Sequence, residues 1–465
     1  MSHVIPFSPR TTHDHRHARS RDSSHDHSQD SGRDHGQDHA SDTSRALPRM
    51  PLARVFFSFS FIYLLLTGCY WIFVFADKMT AFLGKPFNAI WRPFTLWTAA
   101  HIFGWTGAIE PVFVRDTRYL YALLTCFLVF SVLAAIVWTA LDRKRNEYVA
   151  LNYWLRVFVR YVLAYLLLHY GIDKVFLIQF PAPGLGRLVE PFGNYSPSSL
   201  MWAFIGASKL YTIFGGVAEL LGAVLLLFRR TTTLGALIAF AVMFNVTVMD
   251  LSYDVGVKLL CFHILLMAMY LVLPDAGRLL NFFFLNRPTH AARLDPAPFA
   301  VPRRGLLVAF KLCVILLLIV PLTLREWKSY RQIGEGATKP PYYGLYDVDT
   351  FTLNSAELPP LTTDATRWRS IVFDAPNTVL VRHMDDSQTA YRMHFDAAQQ
   401  SMTIDAPGEV ADKSVLQISS PQNTIELRGT FAGALVSITA HRVERSSFTL
   451  VNRGFHWISD ASFIR

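Results

Sequence analysis

YLYALLTCFLVFSVLAAIVWTAL, residues 119–141, decides how the rest of the chain is read. These 23 residues carry no formal charge. A helix needs about 20 apolar residues to cross the hydrocarbon core of a bilayer. Working outward, 54–75 and 305–324 are equally plain apolar spans. Residues 153–177, 200–228, 232–250 and 256–273 are also long enough to cross. The first, second and fourth of these carry ionisable side chains: Arg156, Arg160 and Lys174; Lys209 and Glu219; and Lys258. Seven spans are expected. Ile90 to Trp105 is aromatic and interrupted by Pro93, which reads as an interfacial or re-entrant segment rather than an eighth span.

Composition agrees. The 465 residues are 52% apolar, 14% aromatic and 17% charged. A soluble chain usually carries about 25% charge, so lipid is part of the solvent. The net charge of +9 flanks apolar runs, and nucleic acid is not needed as a partner. Cys69, Cys126, Cys261 and Cys313 all fall inside apolar runs without a Cys-x-x-Cys pair, which argues against disulfides, zinc and dithiol chemistry.

Residues 1–53 form a His/Asp/Arg-rich tail with too few apolar residues to offset ordering entropy, so disorder is expected there. The tail lacks the short basic head and apolar core of a signal peptide. Its histidines suit weak metal binding, but no fixed-spacing site appears. Loop charge sets the expected orientation. With the N-terminus inside, connections 142–151, 229–230 and 275–304 hold ten Lys or Arg in 42 positions. The opposite connections 77–118, 181–198 and 251–255 hold six in 65. This bias predicts a bacterial inner-membrane protein with a cytoplasmic N-terminus and a periplasmic C-terminus. The chain then divides into N-terminal spans (54–151), a central helical bundle (152–276), a cytoplasmic loop (277–304), a last span (305–324) and a linker (325–367).

From 368 to 465 the period changes. Alternating runs at 369–374, 377–384, 388–395, 400–405, 413–418, 423–428, 433–443 and 446–451 are separated by turn residues such as Asp385-Asp386. Period-2 alternation of this kind predicts an all-β antiparallel sandwich or barrel. The tail Gly454-Phe455-His456-Trp457-Ile458 is expected to pack on that sheet. The fold class is therefore an α-helical polytopic membrane bundle followed by an all-β domain.

Charges inside a bilayer are costly and usually face a bundle interior or a watery cavity. Arg156, Arg160 and Lys174 share one face of the third span, and Tyr161, Tyr165, His169 and Asp173 form an i, i+4 ladder on another. The alternative for Arg156 and Lys174 is snorkelling to headgroups. Lys209 and Glu219 are too far apart on one helix to pair. Asp250 or Asp254 is expected to partner Lys209, and Arg156 or Arg160 to meet Glu219. The hairpin from Asn245 through Asp250 and Asp254 to Lys258 completes a candidate polar pocket, with Asp254 and Lys258 able to pair at i, i+4. Such a cluster suits a polar headgroup, a quinone carbonyl or an anionic substrate, or is simply a hydrated loop mouth. Haem is disfavoured, because His101, His169 and His263 differ in expected depth. Walker, dinucleotide-binding, nucleophile-elbow and His-Glu-x-x-His motifs are missing, and no catalytic residue is indicated.

Residues from about 152 to 276 resemble the DoxX/DoxD-like membrane family. The resemblance rests on Tyr170-Gly-Ile-Asp-Lys174-Val-Phe176, Gly215-Gly-Val-Ala-Glu219-Leu-Leu-Gly222, Arg229-Arg-Thr-Thr-Thr-Leu-Gly235-Ala236 and the Lys258 helix. It implies a four-helix core and a place in a membrane oxidoreductase system, with a quinone or other lipid-soluble substrate as ligand and a membrane redox subunit as partner. A looser architectural likeness is to the vitamin K-dependent carboxylase group, which also joins a helical membrane part to a β-rich part. The competing expectation is a non-enzymatic membrane anchor whose β-domain recruits a periplasmic protein. A transporter ranks last, since no internal duplication is evident.

Overall fold

A computed structural model describes residues 51–75, 78–109, 115–142, 145, 148–291, 304–405 and 414–460. The tail expected to be disordered lies outside the described residues up to 50. Parts of the basic connections, 143–144, 146–147 and 292–303, lie outside them too.

The helices are α1 (Pro51–Phe75), α2 (Lys78–His101), α3 (Arg118–Leu141), α4 (Val149–Val175), α5 (Leu185–Leu188), α6 (Pro197–Gly206), α7 (Lys209–Leu227), α8 (Thr232–Ser252), α9 (Lys258–Val272), α10 (Ala276–Phe283) and α11 (Arg304–Gln332). Among the described residues, seven helical stretches are long and apolar enough to cross a membrane: α1, α3, α4, α7, α8, α9 running into α10, and α11. The chain is a multi-pass membrane protein. Their shared core is built from large side chains such as Trp71, Tyr70, Phe127, Leu163 and Leu166.

α2 does not add a crossing. α1 ends with Phe75 against His169 and Tyr170 of α4. α3 starts beside α9, whose Lys258 and Leu259 amides donate to the Asp116 carboxylate. Both flanks of α2 therefore lie at the same end of the bundle. Pro86 and Pro93 inside α2 each remove a backbone donor.

Two helix expectations are corrected. The run 200–228 is not one span: it breaks at Ala207–Ser208 into α6 and α7. Ser208 caps α7 by accepting from the Tyr211 amide at 3.2 Å, and Thr212 ties the break together by donating to the Ile205 carbonyl at 2.8 Å. The last helix does not stop at 324 but continues to Gln332. There the buried Glu326 and half-buried Arg325 pack against α4 rather than entering a linker.

The β-domain is a closed antiparallel barrel. Its strands are β1 (Gly344–Leu353), the short β2 (Ala356–Glu357), β3 (Trp368–Ala375), β4 (Thr378–His383), β5 (Gln388–Asp396), β6 (Ser401–Asp405), β7 (Ser414–Ser419), β8 (Thr424–Phe431) and β9 (Ala434–Val443). The run from β3 to β9 pairs in sequence, and β1 closes the ring by pairing with both β3 and β9. β1 lies within residues 325–367, expected to be a linker. A register shift between Val348 and Thr350 breaks its alternation, which hides it from a period-2 reading. The interior is packed by Trp368, Phe351, Ile404, Leu416, Leu427 and Ile438 among others. Residues 446–451 are not a strand, since a 3-10 turn at Arg445–Ser447 precedes α12 (Thr449–Asn452). The tail does not pack on the sheet, because Phe455 is 81% and Trp457 89% exposed.

Candidate functional site

α4 can run unbroken from Val149 because it holds no proline and its first glycine is Gly171, one turn from its end. That glycine faces Gly216 of α7. A Cβ on Gly171 would lie 3.0 Å from the Gly216 carbonyl oxygen, and one on Gly216 would lie 2.7 Å from the Gly171 carbonyl oxygen. Small residues thus let the two backbones approach. The approach sets Lys174 against Glu219: Nζ donates to both carboxylate oxygens, at 2.8 and 2.9 Å. Lys174 is 8% and Glu219 1% exposed. The ammonium also lies 5.5 Å from the Tyr170 ring centre and 5.8 Å from that of Phe180. Two-pronged pairing of this kind compensates charges that burial would otherwise penalise heavily.

Beside the pair is a cavity of about 300 Å3 between α4, α7, α8 and α9. Leu260, Ile264, Met243 and Val246 line its apolar walls. Its polar lining includes Lys174, Glu219, Gln179 and Asp250. Asp250, buried on α8, accepts from the Cys261 thiol of α9 at 3.0 Å. The Gln179 side-chain oxygen is buried and has no hydrogen-bond partner, so one acceptor on the lining stands unmet. The roof is the cluster of Phe180, Met201, Ile205 and Val255, pinned where the Trp202 indole donates to the Gln179 carbonyl at 2.9 Å. Exposed Phe214 of α7 and Asn245 of α8 also line the cavity, so it reaches the outer surface of the bundle between those helices.

On another face of α4 lies a second ionisable group. Arg325 of α11 approaches His169 at 3.2 Å and Asp173 at 3.6 Å, and its Nε donates to Glu326 at 2.5 Å. Arg325 and Glu326 were missed because a span ending at 324 excludes them. The ladder His169–Asp173 was legible from its i, i+4 spacing and is a 3.8 Å pair here.

The expected residues separate into four places. Lys174, Glu219, Asn245 and Asp250 share the cavity lining. Lys174 does not snorkel. Asp254 and Lys258 pair at 2.9 Å, as their spacing predicts, in the turn above it. Lys209 meets neither Asp250 nor Asp254: it donates to Glu335 at 2.5 Å, because α7 begins beyond the end of α4 and beside the extension of α11. Arg156 and Arg160 do not meet Glu219. Arg156 lies 18 positions before Lys174 on α4, about 27 Å along the axis, at the opposite end of the bundle. His263 is held by its neighbours, Tyr63 Oη at 3.0 Å and the Leu259 carbonyl at 2.6 Å. Among the described residues no group of three or more His, Cys, Asp and Glu side chains is placed to hold a metal ion.

The barrel rests on the loop that carries the roof. Asp374 of β3 accepts from the Leu185 amide at 2.7 Å, and Arg445 donates to the Pro183 carbonyl at 3.0 Å. Leu185, Leu345 and Val372 form a small apolar cluster there.

The chain is 31% identical over 126 residues to the uncharacterized protein YwoB of Bacillus subtilis (strain 168). That stretch is 27% of this chain and 79% of the relative. No family model matches, and no solved structure matches.

Proposed function

On the premise that the chain belongs to the same family as YwoB, we propose that its bundle binds a lipid-soluble molecule with a polar headgroup, of quinone type, as a component of a membrane oxidoreductase system. The observation that carries the proposal is the cavity: apolar walls and ionisable groups in one chamber that reaches the bundle surface between two membrane helices. A quinone needs those features together. An apolar tail fits the walls and the surface opening. A headgroup carbonyl accepts from Lys174, and a quinol hydroxyl donates to the unmet oxygen of Gln179. Reducing a quinone to a quinol takes two electrons and two protons. The electrons come from a partner redox subunit, and both protons come from water, passed in turn through the Asp250 carboxyl, which the Cys261 thiol holds in place. The resemblance to DoxX/DoxD-like proteins in the quoted motifs supports the same reading.

The setting proposed is the bacterial inner membrane, with the N-terminus cytoplasmic and the barrel periplasmic. Support comes from the odd number of candidate spans, which would leave the barrel opposite the start of α1, and from the arginines gathered at the end away from it.

The test is to purify the full chain in native nanodiscs and identify co-purifying small molecules by mass spectrometry. The expected result is a prenylated quinone near one per chain, lost in Glu219→Gln and reduced in Asp250→Asn. A preparation that holds bulk phospholipid alone, and that shows no saturable binding of a short-chain benzoquinone, would overturn the reading. The alternative, an anchor whose barrel recruits a partner protein, is favoured by exposed Phe455, Trp457 and Ile458. Crosslinking from those positions distinguishes it.

A further inference from the structure

We infer that the end of the bundle away from the barrel carries a binding site for a phosphate-bearing anion. This inference stands independently of the quinone reading. The site is a cavity of about 570 Å3 between α4, the α7–α8 turn and the α9–α10 junction. Five arginines line it: Arg156 and Arg160 from α4, Arg229 and Arg230 from the turn, and Arg278 from α10. Among its described lining residues there is one carboxylate, Asp275, and it is engaged. It accepts from Arg278 at 2.6 Å and from the Thr233 hydroxyl. Asp275 thus pairs with Arg278, and the described lining still carries more guanidinium groups than acids.

The arrangement is directed rather than diffuse. Arg160 lies over the Tyr161 ring at 5.1 Å and Arg229 over the Tyr153 ring at 5.8 Å. Ring contacts orient a guanidinium without consuming its donors. The Arg160 Nε is buried and has no hydrogen-bond partner. A buried charged donor left unmet is costly, and an acceptor brought by a ligand removes that cost. The Asn152 side-chain amide also lines the cavity, and the positive end of α8 opens onto it.

The chemistry selects phosphate. A planar guanidinium pairs with two phosphate oxygens at once, and several forks suit an anion with three or more acceptors. Beside the cavity, α10 closes the span that starts at Lys258 and exposes Leu280, Phe282 and Phe283, so the cavity sits near the end of that span. The cavity is then at the depth of lipid phosphates, and it is also within reach of soluble ones. An anionic phospholipid headgroup and a free phosphate share the recognition chemistry.

The test places the full chain in phosphatidylcholine nanodiscs and follows its thermal midpoint. Choline headgroups bring a cation that the arginines repel. One arm adds inorganic phosphate, and the other dopes the disc with phosphatidylglycerol. Wild-type protein is expected to be stabilised in at least one arm. A response to phosphatidylglycerol alone assigns a lipid headgroup, and a response to inorganic phosphate assigns a soluble anion. The double variant Arg160→Gln/Arg229→Gln is expected to weaken that response about tenfold or more. Arg160→Lys keeps the charge but removes the fork, and it is expected to weaken binding several-fold if the double variant does not fold. Arg287→Gln, an exposed arginine that does not line the cavity, is expected to change nothing. The inference is overturned if neither probe shifts the midpoint, or if Arg287→Gln weakens the response as much as the Arg160 variants.

Discussion

The two ends of the bundle use intramembrane charge in opposite ways. Near the barrel, four cations have acids within reach: Lys174 with Glu219, Lys209 with Glu335, Lys258 with Asp254, and Arg325 with Asp173. At the far end, five arginines converge on a cavity with one carboxylate. Paired charge holds helices in register and leaves a nearly neutral chamber. Unbalanced charge stores an attraction that a ligand can satisfy. A charged residue in a span is therefore not one signal: its meaning depends on what the neighbouring helix brings to the same level.

Four experiments test the contrast between paired and unbalanced charge. The largest effect is expected from Glu219→Leu, which leaves the Lys174 ammonium buried without its partner. The loss is about 3–5 kcal/mol, read as a lowered unfolding midpoint in detergent. Lys174→Met combined with Glu219→Leu should recover most of it, since a well-packed apolar pair replaces the ion pair. If the double variant is as unstable as the single one, the pair is not the unit that matters.

Gly216→Val comes next. Its Cβ would press on the Gly171 carbonyl at 2.7 Å and on Lys174 at 2.9 Å, so α4 and α7 must separate. A loss of about 1–3 kcal/mol is expected, together with weaker quinone-analogue binding in a titration. Unchanged binding would show that the helix approach does not shape the cavity.

The barrel gives a smaller, pH-dependent effect outside the membrane. Burial holds His383 below its ordinary value of 6.5, against the opposing pull of Asp385. Between the lowered folded value and 6.5 the unfolded chain binds more protons than the folded one. The stabilisation is therefore complete above 6.5 and is lost as pH falls below it, until the folded value is passed. His383→Gln should flatten that slope. The readout is the urea midpoint for thiol labelling of Val436→Cys, a buried barrel position. A slope unchanged in His383→Gln assigns the acid sensitivity elsewhere.

The smallest effect belongs to Asp254→Asn. Its carboxylate is largely solvent-exposed, and the pair with Lys258 is expected to contribute under about 1 kcal/mol. A thermal shift as large as that of Glu219→Leu would erase the distinction drawn here between buried and exposed pairs.

Much of the architecture was legible because it rests on local patterns. Residues 119–141 announce a span by transfer energy alone, and α3 occupies them almost to the residue. The alternation from 369 onward announces strands, and β3 to β9 follow it. The Asp254–Lys258 pair follows from helical spacing. Failures came where a distant partner decides. β1 carries a bulge and earns its place by pairing with β9, nearly a hundred residues away, so no local period betrays it. The α6–α7 break depends on one capping serine inside an otherwise apolar run. Arg325 and Glu326 follow the apolar stretch of α11 and look like its polar flank until α4 is seen beside them.

By itself the sequence determined that this chain carries seven stretches apolar enough to cross a membrane and that a cysteine-free all-β domain follows them. Those properties come from side-chain hydrophobicity and period, which add up along a segment. Only the tertiary structure decided that Lys174 meets Glu219, that Lys209 leaves for Glu335, and that Arg156 and Arg160 join Arg229, Arg230 and Arg278 at the other end. Pairing depends on which helices adjoin and how closely. The Gly171–Gly216 approach fixes both for α4 and α7, through a contact between residues 45 positions apart that neither segment encodes alone.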